Sequence, residues 1–186
     1  MKKHLLIFLF SILTFAFLHS QNMNITLSDQ LTYSGQSLAN IWGWKDPQDG
    51  KEYALVGASN GLSIVDVTNP ANVFQVTQIA GPNCTWREVK TVGNYAYVTS
   101  ECGSYGLQII NLTNLPATNL QTATWTPNLG TPSTKLTTIH ALHADGGKVY
   151  LYGSNVGNKG CIIADVTTNP MAPAYLGSYE IGRAHV

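Results

Sequence analysis

The stretch that decides the fold is residues 61–70, GLSIVDVTNP, because two copies of it follow, GLQIINLTNLP at residues 106–116 and GCIIADVTTNP at residues 160–170. Each copy is preceded by a short run rich in aromatic and aliphatic residues: EYALVG at residues 52–57, NYAYVT at 94–99 and KVYLYG at 148–153. Each unit therefore reads as strand, glycine-bearing turn, strand and proline stop, since proline has no N–H to donate to a sheet. Repetition of this kind indicates a repeat architecture.

Each unit has a further strand on either side. We place the preceding strands at residues 39–42, 87–92 and 140–144, and the following strands at 73–79, 120–125 and 174–179. The aligned residues Tyr53, Tyr95 and Val149 lie 42 and 54 residues apart, which brackets the roughly 40 to 50 residues of a four-stranded propeller blade.

The predicted fold class is therefore all-β, a β-propeller built of four-stranded blades, with three blades at about residues 38–79, 87–125 and 138–179. A β-sandwich with a similar number of strands is the alternative, although a sandwich does not require a threefold repeat. Because propellers close at about 4 to 8 blades, we expect the chain to be a fragment of a longer propeller. Residues 31–33 resemble the end of an outer strand and are predicted to be an early strand that completes the last blade of the ring.

Composition narrows the function classes. The 186 residues are 44% hydrophobic and 11% charged, and 10 Lys and Arg balance 10 Asp and Glu. This balance excludes a basic nucleic-acid binder and a charge-rich disordered segment. Seventeen Gly, eight Pro and nine Tyr favour short strands joined by turns.

The two ends of the chain are predicted to lie outside the fold. Residues 1–20 combine a positive start with an apolar run and are predicted to be a secretory signal peptide. Residues 21–179 would then be the partial propeller, without a membrane-spanning segment. Residues 180–186, EIGRAHV, are what the start of a common sequencing adapter encodes, so we expect them to be a non-native tail.

The repeat stop at residues 64–70 resembles the LVIVD repeat, a propeller blade of bacterial and archaeal surface proteins. The tryptophan-rich segments ANIWGW at residues 39–44 and WREVK at residues 86–90 resemble the choice-of-anchor B family. The resemblance covers about residues 27–179 and implies a secreted or cell-surface propeller without an established catalytic activity. Asn40 and Glu88 stand where that family commonly has Asp.

Polar residues at the starts of the innermost strands are the candidate ligand-binding site. In the repeat alignment Ala39, Arg87 and His140 are equivalent and lie near the mouth of the central channel, with Glu88 next to Arg87. Arg87, Glu88 and His140 are the candidates for binding a polar ligand, although structural hydrogen bonds between blades are the favoured role of these residues. The four tryptophans likewise either offer a stacking platform or fill the space between blades: Trp42, Trp44, Trp86 and Trp125.

Cysteine positions suggest one disulfide. Cys84 precedes the inner strand of the second blade and Cys102 follows its second strand, so both would lie at the same end of a hairpin. We predict a Cys84–Cys102 bridge, which persists in an exported protein, and a free, buried thiol at Cys161. The three cysteines lack the close pairs of a zinc site, and neither a metal nor a cofactor is expected.

The predicted function is a non-enzymatic binding or interaction module at the cell surface or outside the cell, whose ligand is an unidentified protein or glycan. Nucleic acid is not an expected partner. One alternative is a hydrolase or lyase with an active site at the channel mouth, completed by further blades. A second alternative is a structural spacer of an adhesive surface protein.

Overall fold

Every regular element described is a β-strand or part of a turn. The structure, a computed structural model, describes residues 25–130, 133–157 and 160–180. In chain order the strands are β1 Leu38–Lys45, β2 Glu52–Ala58, β3 Gly61–Asp66, β4 Phe74–Ala80, β5 Val89–Val92, β6 Tyr95–Val98, β7 Leu107–Asn111, β8 Thr122–Trp125, β9 Asn128–Leu129, β10 Thr134–Lys135, β11 Ala141–Asp145, β12 Lys148–Tyr152, β13 Cys161–Asp165 and β14 Ala174–Tyr179. The predicted signal peptide and residues 181–186 of the predicted tail lie outside the described residues.

Twelve of these strands form three antiparallel sheets of four, each with its strands in sequence order: β1-β2-β3-β4, β5-β6-β7-β8 and β11-β12-β13-β14. We call these sheets the first, second and third blades. Short turns connect consecutive neighbours, as expected for a meander. The prediction of an all-β fold made of four-stranded propeller blades is confirmed.

The strand registers correct the repeat alignment in the third blade. Tyr53 pairs with Asp66 and Tyr95 with Asn111, whereas the residue opposite Asp165 is Lys148 rather than Val149. The alignment of Val149 with the two tyrosines was therefore wrong by one residue, and the second repeat spacing is 53 residues. Side chains alternate between the two faces of a strand, so this shift sends Val149 to the opposite face from the tyrosines.

A short hairpin accounts for the longer second spacing. Strands β9 and β10 form a two-stranded antiparallel sheet between the second and third blades, which the sequence analysis did not predict. Leu129 and Leu136 are buried with apolar residues of both blades. The insertion therefore seals the joint between these blades rather than projecting into solvent.

The blades pack face to face through apolar side chains that alternate along the central strands. Leu55 and Ile64 of the first blade pack with Val98 and Ile110 of the second. The opposite face of the second blade, carrying Tyr97 and Ile109, packs in the same way against Val149, Leu151 and Ile162 of the third. Burying a side chain of this size contributes about 1.5–3 kcal/mol, so these two interfaces hold the neighbouring blades together.

The repeated stop sequence forms the same turn in all three blades. The side chain at the end of the third strand accepts a hydrogen bond from the backbone N–H two residues later. These pairs are Thr68 N to Asp66 Oδ1 at 2.9 Å, Thr113 N to Asn111 Oδ1 at 3.0 Å and Thr167 N to Asp165 Oδ1 at 2.9 Å. The conserved geometry explains why only Asp or Asn occurs there, because both side chains cap this type of turn.

The segment before β1 covers one face of the first blade. The hydroxyls of Tyr33 and Ser63 are hydrogen-bonded at 2.8 Å, and Ser59 N donates to Ser37 O at 2.8 Å. Residues 31–33 pair with no strand of the three blades, so their role as an early strand of the last blade stays a prediction. The hydroxyl of Tyr33 contacts β3.

Candidate ligand-binding site

The innermost strands of the three blades, β1, β5 and β11, lie side by side, and β5 contacts both of the others. The pairing of each innermost strand with the next strand of its own blade shows which residues are equivalent. Equivalent positions of the three blades are occupied by Ile41 opposite Val56, Val89 opposite Val98 and Leu142 opposite Leu151. Arg87 and His140 each lie two residues before these positions and align with each other, as the sequence alignment had placed them. In β1 a register shift between Leu38 and Ile41 puts Leu38 opposite Ala58, so the predicted equivalence of Ala39 with Arg87 and His140 is wrong by one residue.

These strand starts surround a pocket of about 210 Å³. Its lining consists of Ala39, Asn40, Trp86, Arg87, Glu88 and His140. All three predicted site residues are thus brought together, and each blade contributes at least one side chain. The pocket is smaller than the roughly 300–1,000 Å³ typical of sites for drug-sized ligands, so it fits a single side chain or one sugar ring.

Arg87 forms part of the wall and joins the first two blades. Only 2% of its surface is exposed, Nε donates to Ala58 O at 3.1 Å, and Nη2 donates to Pro82 O at 2.6 Å. Burial lowers the pKa of the guanidinium below its ordinary value. Gly57 permits the close packing here, because a Cβ at that position would lie 3.1 Å from Arg87 O.

Glu88 joins the second blade to the third. Its Oε2 accepts a hydrogen bond of 2.7 Å from Leu142 N, and its backbone N–H donates to Thr99 Oγ1 at 3.1 Å. The side chain is half-buried and lines the pocket. None of the ion pairs found among the described residues involves Glu88. Its carboxylate therefore supplies negative charge to the pocket while holding β11 in place.

His140 pairs with an acidic residue that sequence reasoning missed. Its Nδ1 contacts Glu101 Oε1, and the side chains of both residues are partly exposed, at 57% and 37%. Glu101 directly precedes Cys102, and the structure joins Cys102 to Cys84 in a disulfide. The sequence could have indicated Glu101, because it directly precedes Cys102, which was predicted to lie at this end of the hairpin.

The tryptophans divide between the two predicted roles. Trp44 is 8% exposed, and its indole N–H donates to Gly93 O at 3.0 Å, so it packs between the first and second blades. Trp42 donates to Thr91 Oγ1 at 2.9 Å across the same joint. Trp86 instead is 60% exposed and lies at the pocket. Its ring is available for stacking with a ligand.

Asn40 contributes an unsatisfied acceptor. Its Oδ1 is buried and has no hydrogen-bond partner among the described residues. A buried oxygen left unpaired costs about 1–3 kcal/mol, and Asn40 lines the pocket.

Residues 25–130, 133–157 and 160–180 contain no cluster of three or more His, Cys, Asp or Glu side chains arranged to hold a metal ion. No helix within those ranges has the length and apolar character needed to cross a membrane. Cys161 is a free thiol, half-buried rather than fully buried, and burial raises its pKa.

The three blades and their shared pocket define the class of protein as a β-propeller module. The sequence profile of the LVIVD repeat matches residues 51–78 and 86–120, which include the central strands of the first two blades. The chain therefore carries LVIVD repeats, as the stop sequences predicted. No curated protein matches the chain.

Proposed function

We propose that this chain is an exported β-propeller that acts as a non-enzymatic binding module through the pocket at the channel mouth. The observation that carries the proposal is the exposed indole of Trp86 at a pocket to which all three blades contribute side chains. An indole exposed at a pocket offers a flat apolar face and an N–H donor to a ligand. Its exposure beside converging polar groups is typical of a recognition site.

The contacts of the polar lining favour binding over catalysis. Arg87 and Glu88 hold backbone groups of neighbouring blades in place, and groups fixed in this way shape a pocket. The hydrolase or lyase alternative is favoured by one observation, the contact between His140 and Glu101, because a carboxylate that orients an imidazole is a common catalytic arrangement. A binding module converts no substrate into product. The hydrolase or lyase alternative predicts that the chain forms a product and that His140→Gln abolishes its formation.

Export and surface location are part of the proposal. The positive start and apolar run of residues 1–20 support a signal peptide. The Cys84–Cys102 bridge supports an oxidising compartment, where disulfides persist. The resemblance of residues 39–44 and 86–90 to the choice-of-anchor B family supports attachment to a cell surface. Fractionation of the producing cells and mass spectrometry of the mature N-terminus test this part, and a chain that keeps Met1 in the cytoplasm would contradict it.

Saturation-transfer NMR on the full chain tests binding without assuming the chemistry of the ligand. The probes are glucose, N-acetylglucosamine, glucosamine, Nα-acetyl-lysine methylamide, N-acetylglycine methylamide and acetate. We expect at least one probe to receive saturation from the wild-type chain and to lose it in Trp86→Ala. Phe74→Ala is the matched control, because Phe74 is an exposed aromatic on the outer strand β4 of the first blade.

Two results would contradict the binding proposal. If none of the six probes receives saturation, the spacer alternative is favoured. If Trp86→Ala and Phe74→Ala reduce the signal equally, the exposed ring at the pocket has no special role.

A further inference from the structure

We propose that the ligand of this pocket presents a primary ammonium group, the chemistry shared by a lysine side chain and an amino sugar. The inference rests on the proposed function, because it names what the same pocket binds. Three features carry it: the balance of donors and acceptors in the lining, the charge near the pocket, and the exposed indole.

The lining offers an acceptor in the Glu88 carboxylate, which accepts one backbone hydrogen bond, from Leu142 N, through Oε2. The Arg87 guanidinium directs Nε and Nη2 away from this carboxylate, to the carbonyl oxygens of Ala58 and Pro82. An ammonium has three donors and no acceptor, which complements this arrangement.

The charge near the pocket points the same way. Glu88 lines the pocket outside the ion pairs of the described residues, and Glu101 lies beside it in contact with His140. Arg87, the one buried cation among the described residues, donates to carbonyl oxygens rather than to a carboxylate. An anionic ligand would meet the Glu88 carboxylate in the lining, so a cationic ligand is favoured.

The exposed ring of Trp86 completes a cation site. An ammonium over an indole face is attracted by the negative face of the ring. The chain already contains this contact two residues further along β1 and β5, where the Lys90 ammonium lies 4.1 Å from the centre of the Trp42 ring. Trp42 is thus occupied by the protein's own lysine, whereas Trp86 is 60% exposed. The pocket of about 210 Å³ accommodates the end of a lysine side chain or one sugar ring.

Matched pairs of probes that differ in charge test the inference by isothermal titration calorimetry. Nα-acetyl-lysine methylamide is compared with its Nε-acetylated form, and glucosamine with N-acetylglucosamine. We expect the charged member of at least one pair to bind at least about tenfold more tightly than its neutral partner. The pair that shows the difference identifies whether the ammonium comes from a peptide or from a sugar.

Substitutions assign the effect to the pocket. Glu88→Gln removes the charge and keeps an oxygen that can accept from Leu142 N, so the blades stay joined. We expect it to weaken binding of the charged probe about tenfold and to leave the neutral probe unaffected. Glu52→Gln is the control, because Glu52 is an exposed carboxylate on β2 and pairs with Lys45.

The outcomes separate the two proposals. If a neutral probe binds as tightly as its charged partner, the ammonium inference is overturned while the binding function stands. If no probe binds the wild-type chain in either experiment, both are overturned. A loss of affinity in Glu52→Gln equal to that in Glu88→Gln would also overturn the inference, since the charge effect would then not belong to the pocket.

Discussion

Removing the disulfide should destabilise the second blade by an amount that follows from its position. The bridge joins Cys84 to Cys102, 18 residues apart, with a Cα–Cα distance of 5.5 Å. In the chain-entropy description, closing a loop of that length lowers the entropy of the unfolded chain enough to stabilise the fold by about 3 kcal/mol. We therefore expect Cys84→Ala/Cys102→Ala to lower the free energy of unfolding of the full chain by about 3 kcal/mol.

Urea denaturation followed by tryptophan fluorescence measures this change. With an m-value of about 1–3 kcal/mol per molar urea, the midpoint falls by about 1–3 M. Cys161→Ala is the control, because Cys161 is a free thiol outside the bridge, and its midpoint should respond to reductant as the wild type does. The bridge also holds Glu101 close to His140, so the double variant should weaken ligand binding as well. A urea midpoint that reduction leaves unchanged would refute the reasoning. So would the alkylation of all three cysteines in unfolded but unreduced protein, because no disulfide would then be present.

Three further changes test the packing of the blades by the same urea assay. Arg87→Met removes the donor of two buried carbonyl oxygens and should cost about 3 kcal/mol; a cost below about 0.5 kcal/mol would mean that the wall does not depend on the guanidinium. Gly61→Ala places a Cβ 2.0 Å from a carbonyl oxygen of β4 at a φ of 146°. It should therefore lower the free energy of unfolding more than Gly93→Ala, which costs about 1–2 kcal/mol because its added Cβ meets open space at a φ of 56°. Equal losses of stability would contradict the close approach. Burial raises the pKa of Tyr97 above its ordinary value of 10.0, so the folded state keeps that proton more tightly than the unfolded state. The contribution of Tyr97 to the free energy of unfolding should therefore be fully present below pH 10. Above that pH the free energy of unfolding should fall by up to about 1.4 kcal/mol per pH unit. A slope that survives in Tyr97→Phe would belong to another group.

The blade architecture was predictable because its signal is local and repeated. Alternating apolar residues around 61–70 and its copies, closed by Asp or Asn turns and proline, specify both the strands and their ends. The registers of β5 and β11 also agree with the predicted alignment of Arg87 with His140, whereas the register shift in β1 displaces Ala39 from that row.

What the sequence did not reveal depends on contacts between distant segments. Val149 and Lys148 both fit the strand pattern, and only pairing with β13 decides between them. The hairpin of β9 and β10 has strands of two residues, too short for periodicity to identify. Glu101 reaches His140 only because the second and third blades lie side by side. The exposure that distinguishes Trp86 from Trp44 likewise comes from the packing of the blades.

The claim that the pocket beside Trp86 binds a ligand is tested most directly by fluorine NMR of the full chain labelled with 5-fluorotryptophan. The chain has four tryptophans, so four resonances are expected, assigned by Trp→Phe variants. Trp44 is buried between the first two blades. On titration with the six-probe mixture, we predict that the resonance of Trp86 moves and that of Trp44 does not. A Trp86 resonance that stays in place while Trp44 or another tryptophan responds, or four resonances that do not move at all, would contradict a binding site at the channel mouth.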